Sequence, residues 1–301
     1  MHESIVPLLE EQGFEVLYKP MYDRQTIIER LQDCTGLIIR SKNTVDAELL
    51  QKADKLKFVA RAGAGIDLLD VEELERRSIQ IVNAPEGNRD ALGEHALGML
   101  LSLSNKINLA DQSVRKGIWD REGHRGFEIK GKTVGVIGYG FMGSAFSEKL
   151  SGLHCKVLAY DNDKTGYSST FVQESTMEQI YEQTDILSFH VPLTKETRAM
   201  ADESFFQRFR KDLIVLNTSR GEVLRLDHLL KCLKNGKVKA AGLDVLENEK
   251  LQTLSPSEKA TFDELTKSEK VLLTPHVGGW TVESYRKINE VLVQKIAQLE
   301  F

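Results

Sequence analysis

Three side chains that could carry out acid–base chemistry follow predicted strands in the second half of the chain. Arg220 lies in NTSRG, Glu249 in GLDVLENE and His276 in TPHVGG. Because ligands of open parallel sheets bind beyond the carboxyl ends of strands, we expect the three to meet at one site. A histidine titrates near neutral pH and can give a proton to a carbonyl oxygen. A carboxylate would orient the imidazole and favour its protonated form, and an arginine would bind a substrate carboxylate or polarise the carbonyl.

Each of these residues also has an ordinary structural interpretation. Alone, His276 would be a hydrogen-bonded structural histidine, Glu249 an exposed loop charge and Arg220 a cap on a strand end. Only their joint placement after strands of one sheet favours catalysis. The set as a whole predicts the proton donor of a keto-acid reduction, which also needs a source of hydride.

A glycine-rich turn earlier in the chain predicts where that hydride source binds. The run VGVIGYGFMG at 134–143 leads from an apolar strand through Gly138, Gly140 and Gly143 into a helical pattern. Gly138 permits a tight turn, Gly140 removes the Cβ that would block a pyrophosphate, and Gly143 lets the helix pack closely on the sheet. The first amides of that helix then face the phosphates of a dinucleotide. The alternative is a glycine-rich strand-to-helix turn without a ligand.

An acidic residue after the next strand indicates which dinucleotide is used. Asp161 follows KVLAY at 156–160, close to where the motif places a carboxylate for the ribose hydroxyls. A carboxylate accepts hydrogen bonds from a free 2′-hydroxyl and repels a 2′-phosphate, so NAD is favoured over NADP. Lys164 is the one basic residue close by in the sequence. The alternative for Asp161 is a solvated carboxylate at a strand end.

Alternating helices and strands are predicted to position these residues. In the first part of the chain we expect helices at 4–12, 24–32, 46–53 and 70–77, and strands at 14–17, 36–40, 57–61 and 79–83. A long helix at 90–109 leads to the glycine turn, and the strands that follow are expected at 156–160, 185–190, 213–217, 239–243 and 271–273, with a last helix at 281–299. Such alternation indicates two doubly wound parallel sheets covered by helices. Because the first segment is already a helix, we also expect that an N-terminal strand is missing from this sequence.

Composition indicates a soluble globular protein, and small soluble molecules are the expected substrates. The chain has 301 residues and a formal net charge of −5, with no long basic run, so nothing indicates a nucleic-acid or anionic membrane partner. Hydrophobic runs are too short to span a bilayer and the N-terminus lacks a signal pattern, so we expect a cytoplasmic protein. Cys34, Cys155 and Cys232 fit neither a disulfide framework nor a zinc pattern, and no metal is expected.

The order of these motifs resembles the D-isomer-specific 2-hydroxyacid dehydrogenases over nearly the whole chain. The resemblance rests on RAGAGIDLLD, GYGFMG, HVPLTKET, NTSRGEVL, GLDVLENE and TPHVGG. IIRSKNTVDAELL and NAPEGN look most like the phosphoglycerate dehydrogenase branch. The resemblance implies Arg220, Glu249 and His276 as the catalytic set, in agreement with the roles above.

The resemblance also implies the remaining site residues. The backbone of Gly63, Ala64 and Gly65 would cradle the substrate carboxylate, and Asp244 would contact the nicotinamide carboxamide. The other residues implied at the NAD site are Phe141, Met142, His190, Val191, Pro192, Thr197, Thr218, Ser219, Gly278 and Gly279. For the phosphate of a phosphorylated substrate, Arg40 with its neighbour Ser41, and Arg61, are the best placed, although both arginines could equally cap strands or pair with carboxylates.

The domain organisation follows from the same resemblance. Residues 1–88 and 280–301 would form a flavodoxin-like substrate domain, and 89–279 a Rossmann-type NAD-binding domain. A segment near 105–130, including Trp119, would serve as a dimerisation arm. Closure is expected on hinges near Asn88 and Gly279. Trp280 departs from the small polar residue that is usual in the family, and its role is either packing or shaping of the site.

The sequence alone leaves two substrates and one non-enzymatic function as alternatives. The first expectation is interconversion of 3-phosphoglycerate and 3-phosphohydroxypyruvate, and the alternative is reduction of glyoxylate or hydroxypyruvate with the same catalytic set. Formate oxidation is disfavoured because Glu249 is not a glutamine. A binding protein that senses NAD(H) is the alternative of another class, since fold alone does not establish function.

Overall fold

The computed structural model of the chain describes residues 2–300 and divides it into two units. One unit comprises Met1–Asp90 and Trp280–Phe301, and the other comprises Ala91–Gly279. Each is built on a parallel β-sheet, which confirms the α/β fold class predicted from the alternating pattern.

The regular elements alternate along the chain. The strands are β1 (Gly36–Ile39), β2 (Phe58–Arg61), β3 (Gln80–Asn83), β4 (Thr133–Ile137), β5 (Lys156–Tyr160), β6 (Val172–Glu174), β7 (Ile186–Phe189), β8 (Leu213–Asn217), β9 (Val238–Leu243) and β10 (Val271–Leu273). The helices are α1 (Ile5–Glu10), α2 (Arg24–Arg30), α3 (Val71–Arg76), α4 (Arg89–Ser104), α5 (Ile107–Arg115), α6 (Phe141–Lys149), α7 (Met177–Gln183), α8 (Glu203–Gln207), α9 (Leu226–Asn235), α10 (Pro256–Lys267) and α11 (Val282–Ile296).

The first unit contains a sheet of three parallel strands in the order β1-β2-β3. Side chains alternate along β2, so its two faces enter two different cores. Phe58 and Ala60 pack with residues of α1 and α11, whereas Val59 packs with residues of α2 and α3. Helices therefore cover both faces of this sheet, and only strand ends and loops remain for a site.

The second unit contains seven parallel strands in the order β10-β9-β8-β7-β4-β5-β6. The chain runs outward from β4 through β5 to β6, returns to β7 on the other side of β4, and continues outward to β10. Every residue of β4, β7 and β8 is buried, as expected for strands covered on both faces. The direction of winding reverses between β4 and β7, where an open parallel sheet leaves a crevice at its carboxyl edge.

The strand predicted at 14–17 is wrong. Residues 14–19 belong to no strand in the described part of the chain, although Phe14, Val16 and Tyr18 pack on the core of the first unit. Alternating apolar side chains reveal a buried face, but a strand also needs a neighbouring strand with a free edge, which no local pattern can supply.

The helix predicted at 46–53 is also wrong, because this segment consists of turns. Leu49 and Leu50 are both fully buried, so the apolar pattern reports burial and not a helical backbone. The carboxylate of Asp46 accepts the Leu49 amide at 3.0 Å, which closes a local turn instead.

The long helix predicted at 90–109 is two helices. α4 ends at Ser104, and Lys106 has a φ of 51°, a left-handed conformation that breaks the helical path before α5 begins at Ile107. The side chain of Asn105 donates to the carbonyl of Leu101 at 3.2 Å and satisfies one carbonyl of the last turn.

Candidate active site

The glycine turn joins β4 to α6 at the winding reversal. Gly138 has a φ of 92°, and a Cβ there would lie 2.6 Å from the carbonyl oxygen of His190. A Cβ on Gly143 would lie 1.9 Å from the carbonyl oxygen of Gly138, so the helix can approach the turn only without a side chain. In contrast, a Cβ on Gly140 would meet no atom within 4 Å. The space in front of the first α6 amides is therefore open.

Asp161 ties the end of β5 to this turn. Its Oδ2 accepts the amide of Tyr139 at 2.7 Å, and its Oδ1 accepts the amides of Asp163 and Lys164 at 3.0 and 3.1 Å. The ammonium of Lys164 also donates to the carbonyl of Tyr139 at 3.4 Å. A carboxylate has about four acceptor positions. Asp161 thus shapes the turn and retains capacity for a hydroxyl donor.

His190, which follows β7, is a buried neutral residue. Its Nε2 lies 2.8 Å from the hydroxyl of Ser188, and its ring lies 5.3 Å from that of Phe146. Burial lowers the pKa of His190 to about 3. His190 therefore cannot supply a proton near neutral pH. Its backbone carbonyl lies against the glycine turn at Gly138.

The loop after His190 is closed by its own side chains. The hydroxyl of Thr197 donates to the carbonyl of Pro192 at 2.6 Å and accepts the amide of Thr194 at 2.8 Å. Val191 packs toward the turn, because its Cγ1 lies 3.0 Å from the position of a Cβ on Gly138. Pro192 and Thr197 were both predicted as site residues, and they fix the shape of this loop at the carboxyl edge.

A buried asparagine organises the turn after β8. Oδ1 of Asn217 accepts the amide and the hydroxyl of Ser219 at 3.1 and 2.8 Å, and its Nδ2 donates to the carbonyl of Arg220 at 3.0 Å. The hydroxyl oxygen of Thr218 is buried and has no hydrogen-bond partner among residues 2–300. Such an orphaned polar atom fits a ligand that supplies the missing partner.

His276 and Glu249 form a direct pair beyond β10 and β9. Nδ1 of His276 lies 2.9 and 3.1 Å from the two carboxylate oxygens of Glu249. With an ionised carboxylate, Nδ1 carries the proton and Nε2 is left to exchange a proton with a ligand. Nearly half of each side chain is exposed, at 46% and 47%, so the pair is accessible from solvent.

Asp244 holds the loop that carries His276. Its carboxylate is 2% exposed, and its Oδ1 accepts the Thr274 hydroxyl at 2.5 Å and the Val277 amide at 2.9 Å. Its Oδ2 accepts the Gly278 amide at 2.8 Å. Burial acts to raise the pKa of Asp244, but these hydrogen bonds and one from His95 outweigh it and hold the pKa below its usual range.

His95 and Thr274 are positioning residues that sequence reasoning missed. Nε2 of His95, on α4, lies 3.0 Å from the hydroxyl of Thr274 and 3.3 Å from Oδ1 of Asp244. Thr274 precedes Pro275 and His276 directly, which was the only local signal. His95 had none, because a single histidine in a helix is uninformative until the fold brings it to a strand end.

In the first unit, the turn after β2 presents free amides. Gly63 has a φ of 144°, and the side chain of Asn83 donates to the carbonyl of Ala64 at 2.6 Å. Within residues 2–300, the amides of Ala64 and Gly65 have no acceptor. The guanidinium of Arg61 lies against this turn, 1.7 Å from the position of a Cβ on Gly63. Backbone amides of this kind, beside an arginine, can bind a carboxylate.

Arg40 follows β1 and stacks on two aromatic rings. Its guanidinium carbon lies 3.9 Å from the ring centroid of Trp280 and 4.6 Å from that of Tyr285. Its neighbour Ser41 is exposed. Sequence reasoning named Arg40 but did not foresee its aromatic partners, which lie far away in the sequence.

Metal-binding clusters and membrane-spanning helices are both absent from the described residues. Between residues 2 and 300, no three or more His, Cys, Asp or Glu side chains are grouped so that they could hold a metal ion. In the same range, no helix is both long and apolar enough to cross a membrane.

Comparison with known proteins shows which family the sequence matches. The sequence model of the NAD-binding domain of D-isomer specific 2-hydroxyacid dehydrogenases matches residues 97–278. The D-3-phosphoglycerate dehydrogenase of Archaeoglobus fulgidus is 33% identical over 299 residues, which are 99% of this chain and 55% of that protein. The chain therefore spans about half the length of the curated relatives that it matches.

Solved structures of similar fold carry dinucleotides. D-lactate dehydrogenase from Aquifex aeolicus, complexed with NAD and lactic acid, aligns over 98% of this chain and 92% of its own with a TM-score of 0.83 and 24% identity. An acyclic imino acid reductase in complex with NADPH and D-Arg aligns over the same shares with a TM-score of 0.84 and 25% identity.

The second unit is a dinucleotide-binding domain of the doubly wound parallel class, with its glycine turn at the winding reversal. Because the family match covers more than half of the sequence, the chain belongs to the D-isomer specific 2-hydroxyacid dehydrogenases. The predicted resemblance and the NAD-binding domain are both confirmed. The open space at Gly140 and the orphaned hydroxyl of Thr218 fit that cofactor.

Proposed function

We propose that this chain is an NAD-dependent dehydrogenase that interconverts a D-2-hydroxy acid and a 2-keto acid. The observation that carries the proposal is the contact of His276 with Glu249 at the carboxyl edge of the NAD-binding domain. An imidazole oriented by a carboxylate is the acid–base group that a carbonyl reduction requires. Arg220, which follows β8 at the same edge, is proposed as the third catalytic residue.

The proposed mechanism assigns one task to each of these side chains. When NAD is bound at the glycine turn, its nicotinamide would supply or accept the hydride. Nε2 of His276 gives a proton to the carbonyl oxygen in reduction and takes it back in oxidation. Glu249 holds the ring through Nδ1 and stabilises the imidazolium, and the guanidinium of Arg220 binds the substrate carboxylate and polarises the carbonyl. The N–H groups of Ala64 and Gly65 are proposed to donate hydrogen bonds to a substrate carboxylate.

The proposed substrate pair is 3-phosphoglycerate and 3-phosphohydroxypyruvate. Its support is the 31–34% identity to several D-3-phosphoglycerate dehydrogenases. The cations proposed for the phosphate are Arg40 and Arg61, which follow neighbouring strands of the first unit. Arginine suits this role because its planar donors match the geometry of phosphate oxygens.

A parallel assay of four keto acids tests the proposal. The disappearance of NADH is followed with 3-phosphohydroxypyruvate, hydroxypyruvate, glyoxylate and pyruvate, and a reaction without keto acid is the control. We expect clear preference for the phosphorylated compound. Preference for glyoxylate or hydroxypyruvate would keep the dehydrogenase but remove the phosphate assignment. Silence on all four, with NADH still bound, would refute the enzyme and support an NAD(H)-sensing protein.

We also propose that the chain forms a homodimer through the segment at 105–130. Helix α5 in this segment has no buried residue, Ile107 and Val114 share one of its faces, and Ile118 follows shortly after its end. These three side chains are more than half exposed and Trp119 is 80% exposed, an apolar surface of the kind that marks an interaction site.

Light scattering after gel filtration tests the dimer. Val114→Asp places a charge in the proposed interface and is expected to convert the protein to a monomer. Gln112→Asp, an exposed change on another face of the same helix, adds the same charge and is expected to leave the dimer intact. A monomeric wild type, or equal behaviour of the two variants, would contradict the proposal.

A further inference from the structure

Arg40, Trp280 and Tyr285 form a three-residue cluster in the first unit. The guanidinium lies over both rings, and the ring centroids are 5.3 Å apart with planes inclined by 39°. Both ring distances of Arg40 are within the range of a cation–π contact. The Arg40 side chain also forms a hydrogen bond with that of Tyr285, and contact through the flat face of a guanidinium leaves its other N–H groups available to a ligand.

Among the described residues, no carboxylate neutralises the charge of Arg40. Its side chain is half-buried, and among residues 2–300 no carboxylate lies at ion-pair distance from it. Burial lowers the pKa of Arg40, which reflects the cost of holding this charge away from water. An anionic ligand would offset that cost.

The cluster lies beside the turn with free amides. β1 and β2 are parallel neighbours in which Ile39 is paired with Arg61, and the amide of Ala62 donates to the carbonyl of Ile39 at 2.8 Å. Arg40 therefore leaves β1 at the same edge at which Ala64 and Gly65 present their amides. One edge of the sheet thus offers two separate groups for anions.

We propose that Trp280 and Tyr285 hold Arg40 in place for the second anionic group of the substrate, and that Trp280 thereby determines specificity for a phosphorylated keto acid. This inference rests on the proposed function, since the free amides take the carboxylate of the same substrate. A ring beneath the guanidinium restricts its rotamers before binding, so less entropy is lost when the phosphate is bound. Trp280 is a positioning residue that acts through Arg40.

The kinetic test compares Trp280→Leu with Trp280→Phe. Loss of a cation–π contact corresponds to about a threefold to thirtyfold change in an equilibrium constant. For Trp280→Leu we expect the ratio of kcat/KM for 3-phosphohydroxypyruvate to that for glyoxylate to fall by at least about fivefold, through KM of the phosphorylated substrate. Trp280→Phe keeps a ring and should restore most of the ratio. Val282→Ala, at an exposed position two residues away, is the matched control.

A binding experiment tests the role of the cluster without measuring turnover. The chain has two tryptophans, so Trp119→Phe leaves Trp280 as the single tryptophan. We expect 3-phosphoglycerate, added to protein without NAD, to change the emission of Trp280 with saturation, and D-glycerate at equal ionic strength to have no effect. Arg40→Met in the same background should abolish the response.

The outcomes separate this inference from the proposed function. An unchanged ratio in Trp280→Leu, or a response to 3-phosphoglycerate that survives Arg40→Met, overturns the role of the cluster while the dehydrogenase stands. If the wild type reduces no keto acid, the proposed function fails and the fluorescence titration decides alone. In that case, absence of a response to 3-phosphoglycerate overturns the inference as well.

Discussion

His276 occupies a left-handed backbone conformation, with a φ of 54°. Such a conformation costs a residue with a Cβ on the order of 1–3 kcal/mol and persists only when its surroundings fix it. Asp244 supplies that constraint, because its carboxylate accepts hydrogen bonds from Thr274, Val277 and Gly278 on both sides of His276. The position of the imidazole is thus set by a buried carboxylate that makes no contact with the ring.

The first prediction concerns His276 itself. His276→Asn removes the proposed proton donor but keeps a polar side chain, so turnover should fall by about 100-fold or more. NADH affinity, measured by fluorescence titration, should change little, because the proposed role lies in proton transfer. Glu249→Gln is the companion variant and should lose less activity, since an amide can still accept from Nδ1. Substantial activity in His276→Asn would remove His276 from the mechanism.

The second prediction concerns the choice of cofactor. Asp161→Ala removes the carboxylate that is proposed to repel a 2′-phosphate, so the preference for NAD over NADP should narrow about tenfold or more. The change also deletes the acceptor of the Tyr139 amide, and affinity for both cofactors should decline. Dissociation constants for NADH and NADPH measure both effects. Asp163→Ala, which removes a nearby exposed carboxylate, is the control, and an unchanged ratio in Asp161→Ala would move the role elsewhere.

At the beginning of α6, two glycines differ in what a side chain would contact. A Cβ on Gly140 would meet no protein atom, whereas one on Gly143 would collide with the backbone of the turn. The two glycines are thus required for different reasons. The close packing at Gly143 leaves no room for a Cβ, and Gly140 is proposed to keep space for a ligand at the helix N-terminus.

The third prediction separates these two reasons. Gly140→Ala should leave the free energy of unfolding nearly unchanged but weaken NADH binding by at least about tenfold, because its methyl group enters the phosphate space. Gly143→Ala should lower stability itself. Gly152→Ala, where a Cβ also meets nothing, should alter neither quantity. Urea denaturation and NADH titration measure the two effects. Normal NADH affinity in Gly140→Ala would argue against a phosphate at this helix.

Among the elements, three strands of the second sheet were predicted best. The bounds of β5, β8 and β10 agree with the sequence prediction, because a short apolar run between polar residues has one stable arrangement in a parallel sheet. The segments at 14–17 and 46–53 were mispredicted, and β6 at Val172–Glu174 was missed. Their conformation depends on neighbours that are distant in sequence, such as the strand partner of β6, which is β5.

At the scale of the whole molecule, burial of His190 makes stability depend on pH. Its pKa in the folded protein is about 3, against 6.5 for an ordinary histidine. Below about pH 6.5 the unfolded chain binds a proton that the folded protein does not, so the free energy of unfolding falls as the pH falls. The slope for one such group is about 1.4 kcal/mol per pH unit, and it continues until the pH approaches the folded pKa.

The fourth prediction follows from this fall in the free energy of unfolding at low pH. His190→Gln removes the titrating group, so urea denaturation between about pH 6.5 and 4.5 should give a shallower loss of stability than in the wild type. The slopes are compared rather than absolute values, because the substitution also disturbs packing against Phe146. His154→Gln changes an exposed histidine at a helix end and serves as the control for removal of a histidine. Parallel pH profiles of the free energy of unfolding in wild type and His190→Gln would show that His190 binds a proton as readily in the folded protein as in the unfolded chain.

The sequence by itself determined the α/β class, the glycine turn, the acidic residue after β5 and the family. These features are encoded in short runs whose chemistry is local: a glycine permits a close approach, and an apolar run forms a strand, wherever the rest of the chain lies. The tertiary structure alone decided the contacts between distant segments. It brought Glu249 to His276, His95 to Asp244, and Trp280 and Tyr285 to Arg40. Long-range pairs are set by how sheets and helices pack, and no spacing in the sequence records that packing.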